Sequence, residues 1–184
     1  VLYAEALDRA LALGQVRAEF AATWALWLGA SSASGYGRAH ELARRLMDLL
    51  DGDASREAMA VYAMGNTLVC LGRFDEAVRC LDRLPQMVWP DDAEWPEDAV
   101  THGLAFLALA HGRLGQHRLA RGAASAALRR ARRGKSPSTC GFVWSLVAML
   151  HVLHRNWQAV ARYGQRILRC GTTHELALWQ VSGQ

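Results

Sequence analysis

The chain has 184 residues, 52% of them apolar and 21% charged, with four prolines, few β-branched residues and a formal charge of +4. That length bounds one domain with a sizeable core, and the composition excludes a disordered chain, a collagen-like fibre and a disulfide-dense secreted scaffold. No run approaches the roughly eighteen apolar residues of a membrane-spanning helix, so no membrane partner is expected. The charge is unevenly placed: residues 1–100 hold nine arginines against sixteen carboxylates, a balance of −7, whereas residues 101–184 hold eleven arginines and Lys135 against Glu175 alone, a balance of +11.

In chain order, residues 1–14 open inside a helical pattern, and residues 17–51 form a first helix pair, with helices near 17–33 and 36–51. A second pair spans 54–84. Its first helix carries an apolar stripe through Ala60, Met64, Leu68 and Leu71, and Gly72 ends that helix because glycine takes the left-handed conformation of a C-terminal cap. Asp75 and Glu76 then suit the positive end of the next helix dipole, while Phe74, Ala77, Leu81 and Leu84 form its inward stripe and Pro85 stops it. Gly65 leaves room for a neighbouring helix to approach. A third pair spans 99–133, a fourth spans 139–170, and a partial unit occupies 174–184.

The units repeat. An aromatic-type residue three positions before a small one recurs as Tyr3/Ala6, Tyr36/Ala39, Phe74/Ala77, His117/Ala120 and Trp157/Val160, in steps of 33, 38, 43 and 40 residues. Such a period marks helix-turn-helix units that bury their apolar faces by stacking on their neighbours. The expected fold is all-α, a right-handed solenoid of about four helix pairs in a single domain covering residues 1–184. A chain that starts and stops inside helical patterns also reads as a fragment of a larger protein.

The pattern Met64-Gly65, Gly72, Phe74 and Ala77 resembles the tetratricopeptide repeat. The ordered stretches ATWALWLGAS, YAMGNTLVCLGRFDEAVRCLDRL, LAFLALAHGRLGQHRLAR and PSTCGFVWSLVAMLHVLHRN resemble more narrowly the C-terminal repeat region of large bacterial signalling ATPases. These are the LuxR-type and maltose-regulator-type activators and their relatives fused to adenylate cyclase. The resemblance implies a cytoplasmic sensor or protein-interaction segment, working beside other domains of a parent chain.

Catalysis is not expected. The chain has no phosphate-loop or dinucleotide glycine motif. Neither Ser145 nor Cys140 has a base and an orienting group beside it, and no cofactor is implied. His151-x-x-His154 has a spacing that can serve a metal, but no carboxylate or cysteine accompanies it, so no metal site is expected. Cys70, Cys80, Cys140 and Cys170 form no CxxC pair and read as reduced thiols.

Binding is expected instead, in a concave groove lined by the first helix of each pair. The inward positions are Trp24, Leu28, Tyr62, Asn66, His102, Leu109, Arg113, Phe142, Ser145 and Met149, about half of them expected to be buried packing. The groove suits a protein segment, a peptide or a small inducer. Trp89 and Trp95, in the acidic insert 85–99, form a candidate docking loop, against the simpler account that they cover neighbouring helix ends. Arg129, Arg130, Arg132, Arg133 and Lys135 form a candidate anion patch, against the simpler account of a solvated helix end. Binding of a polyanion or nucleic acid through the basic C-terminal half is the alternative reading, although nucleic acid is not the partner expected, since no aromatics interleave with the run to stack a single strand. Self-association of the acidic half with the basic half is a further reading.

Overall fold

Gly72 takes φ +75° and Gly115 takes φ +71°, so the turns after Cys70 and Arg113 close their helices through the left-handed conformation. A computed structural model describes residues 2–87, 89, 98–134 and 136–183. Among these residues the structure is helical, with no strand. The elements are α1 (Leu2–Ala12), α2 (Val16–Ser32), α3 (Tyr36–Asp48), α4 (Ala54–Cys70), α5 (Phe74–Leu81), a 3-10 turn (Leu84–Gln86), α6 (Ala99–Arg113), α7 (His117–Gly134), α8 (Pro137–Leu153), α9 (Trp157–Thr173) and α10 (Ala177–Ser182). None of these helices is long and apolar enough to cross a membrane.

Packing follows the chain. Each α-helix from α1 to α4 rests on the next, as do those from α5 to α9, and α4 touches both α5 and α6 while α6 also touches α8. The second helices are amphipathic, and α7 buries only Ala120, Ala124, Ala127 and Ala131. The first helices α4 and α6 are sandwiched, and α6 buries every residue from Ala99 to His111. A single apolar stripe therefore understates the first helices. The second helix of the LGRFDEA unit stops at Leu81 rather than Leu84, and Pro85 lies in the 3-10 turn that follows.

At Gly65 of α4 the side chain of Leu81 from α5 fills the space beside the backbone. A β-carbon there would stand 2.2 Å from Leu81 Cδ2 and 2.3 Å from its Cγ, and Leu81 is fully buried. Gly65→Ala gains about 1 kcal/mol of helix propensity but overpacks a closed site, which costs about 1–3 kcal/mol. The net expectation is a loss of up to about 2 kcal/mol in urea unfolding. Combining it with Leu81→Ala should be less destabilising than the two single changes added together, because the second change vacates the space the methyl needs.

Candidate binding face

Side-chain caps set where the first helices begin. Asp53 accepts from the backbone N–H groups of Ser55 (2.9 Å) and Arg56 (3.0 Å) to start α4. Asp98 accepts from Thr101 N–H (3.1 Å) to start α6, and Ser136 Oγ accepts from Thr139 N–H (3.3 Å) to start α8. The Ser55 hydroxyl foremost, then the Arg56 N–H, pulls the Asp53 carboxyl down to about 2.

With those starts fixed, one ring from each of α2, α4, α6 and α8 falls into line. Trp24, Tyr62, His102 and Phe142 are separated in sequence by 38, 40 and 40 residues. Their centroids lie 6.1 Å (Trp24–Tyr62), 5.7 Å (Tyr62–His102) and 4.2 Å (His102–Phe142) apart, all tilted. Trp27 and Phe106 broaden the row, each about 6 Å or less from Tyr62. Burial drives the His102 imidazole down to about 4, with Asp98 opposing the shift, so the ring sits neutral in the row at pH 7.

The other expected groove residues divide by environment. Tyr62, His102 and Leu109 are buried, whereas Trp24, Asn66, Phe142 and Ser145 are half-buried. Leu28 and Met149 are exposed. Arg113 is exposed too, but its guanidinium lies over the Phe74 ring at 5.7 Å, at the start of α5 and away from the aromatic row. Phe142, Ser145 and Met149 come together in a cavity of about 660 Å³ between α8, α9 and α10, walled by Val152, Val160 and Trp179. Ser145 Oγ donates to the Gly141 carbonyl at 2.9 Å, which leaves a lining of mainly apolar character.

The histidines of the HxxH motif part company. His151 stacks on Tyr163 (5.7 Å, 22°), while His154 Nε2 lies 2.9 Å from His117 Nδ1. No group of three or more metal-ligating side chains gathers among the described residues. Cys70, Cys80, Cys140 and Cys170 are free thiols, and burial pushes each above its ordinary range. Trp89 is half-buried and packs against the core, whereas Trp95 and Lys135 lie outside the described residues. Of the basic run, Arg129, Arg132 and Arg133 are exposed and Arg130 bonds Asp98 at 3.1 Å.

Sequence reasoning missed Trp27 and Phe106 as members of the row. Trp27 is a core anchor, 1% exposed, with Nε1 donating to Thr67 Oγ1 at 3.0 Å. Its one-turn spacing from Trp24 was the available signal, since residues three apart share a helix face. Comparison with protein-family models, curated proteins and solved structures finds no match.

Proposed function

We propose that this chain is a non-catalytic, tetratricopeptide-like interaction or ligand-sensing module, a right-handed solenoid serving a larger bacterial transcriptional regulator or signalling ATPase. The observation that carries the reading is the row Trp24–Tyr62–His102–Phe142, one ring per helix pair at near-equal sequence intervals. The nearest-neighbour packing of the helices supports a stacked-repeat architecture. The half-buried ends of the row and the cavity beyond Phe142 offer apolar surface to an amphipathic peptide or helix. An occupant that binds one arrangement of the parent protein better than another shifts the balance between them by that difference in affinity.

Panning a displayed peptide library on the chain tests the reading. Enriched peptides should carry aromatic or aliphatic residues at helical spacing. Met149→Glu should weaken them at least about tenfold with the circular dichroism unchanged, because Met149 is 54% exposed and packs little of the core. Peptides insensitive both to that change and to Leu28→Glu would overturn the proposed face.

A further inference from the structure

Arginines in the two halves of the molecule live differently. In the first hundred residues Arg38, Arg45, Arg56, Arg73 and Arg83 each bond a carboxylate. After residue 101, Arg130 bonds Asp98, and no other arginine has a carboxylate partner among the described residues. Arg113 and Arg166 instead lie over Phe74 and Tyr163.

The unpaired arginines are ordered. On α7, Arg118, Arg121, Arg129, Arg132 and Arg133 are all exposed. At 100° per residue they fall within an arc of about 120°, opposite the four buried alanines. The charged face thus runs well beyond RRARRGK, back to the first turn of the helix, over about 22 Å. On α9, Arg162, Arg166 and Arg169 repeat the arrangement at i, i+4 and i+7, also exposed. The C-terminal ends of the two helices flank the first turns of α8: Cys140 Sγ donates to the Ala131 carbonyl, and Cys170 Sγ to the Pro137 carbonyl.

We infer that the α7–α9 face binds the phosphate backbone of duplex nucleic acid without reading its sequence. Within the α7 arc the intervening positions are Gly122 and Ser125, so the face lacks the apolar core on which protein–protein interfaces rest. Along α7 no Phe, Trp or Tyr lies among the arginines, so unpaired bases have no ring to stack on over that helix. What remains is a single-sign row of guanidinium forks, suited to the bidentate geometry of phosphate. Its length of about 22 Å spans roughly six phosphates of one strand at 3.4 Å each. This surface is separate from the aromatic row, and the two stand or fall independently.

The test is fluorescence anisotropy of a labelled 24-base-pair duplex with the 184-residue chain, over 20–200 mM salt. The expected result is binding to unrelated sequences alike, with log affinity against log salt falling at a slope of about −5, a loss of about 10³-fold between 50 and 200 mM. Arg129→Glu/Arg132→Glu/Arg133→Glu should abolish it. Arg9→Glu/Arg44→Glu/Arg79→Glu, the same charge change on exposed residues of the other half, should leave it within about threefold. No binding at 20 mM salt overturns the inference, as does equal loss in both triple variants. Tighter binding to poly-glutamate, or to vesicles containing phosphatidylserine, than to the duplex also overturns it, assigning the face to an acidic protein or a membrane surface.

Discussion

Trp27→Ala is expected to destabilise the fold by about 3–5 kcal/mol, the range for deleting a fully buried large aromatic. The ring is wedged against Trp24 (4.8 Å) and edge-on to Tyr62 (5.5 Å), so its removal opens a cavity between α2 and α4. It also removes a buried hydrogen bond. Thr67 is fully buried, and its hydroxyl donates to the Ala63 carbonyl (2.8 Å) while accepting from the indole N–H. Trp27→Phe keeps one of the two fused rings and removes the donor, so it should cost less than the alanine change, about 1–3 kcal/mol. Urea titration followed by circular dichroism should show the midpoint falling with little change in slope. A loss under about 1 kcal/mol for the alanine variant would mean that the α2–α4 contact does not depend on this ring.

The second large effect is a dependence on pH centred on His102. The folded state holds this imidazole at about 4 against an ordinary 6.5, chiefly by burial. Between those values the unfolded chain binds a proton that the folded chain does not, so stability falls as pH drops from about 6.5 towards 4. At most the loss is on the order of 3 kcal/mol, fully absent above pH 7. His102→Phe should flatten that segment of the thermal-stability profile. Part of the slope will remain through His151, which burial first, and then His154 and Arg162, lower in the same direction. Asp53 acts in a separate window, its contribution being lost only as pH falls from about 3.8 to about 2. A profile of His102→Phe parallel to that of the parent between pH 6.5 and 4 would show that the ring titrates freely in the fold.

The turns and the small-residue contacts were the most legible features. Gly72 and Gly115 announce left-handed caps, whereas Ser34, Arg155 and Glu175 take the same conformation with no glycine to announce it, and Gly65 announces the close approach that Leu81 fills. Sandwiched helices were less legible. On α6 nearly every position is buried, so periodicity cannot separate groove from core, and Leu109 and His102 fall in the half of the groove positions that is buried. Arg113 was assigned to the groove by counting residues along α6. Its long side chain reaches instead to Phe74, a contact that depends on how α5 lies against α6. The arginine stripe of α7 was half visible as RRARRGK. Arg118 and Arg121 join it only once the helix is known to run unbroken from His117 to Gly134.

The chain-following order of contacts has a kinetic consequence. Because each helix meets chiefly the ones nearest to it in sequence, little loop-closure entropy is lost before native contacts form, and such topologies fold on the fast side of the range. The same locality lets the molecule open from its ends. α1 rests principally on α2, and α10 on α9, so either can detach without breaking a distant contact. α6, held by α4, α5, α7 and α8 together, is the last helix that stepwise opening from the two ends would release.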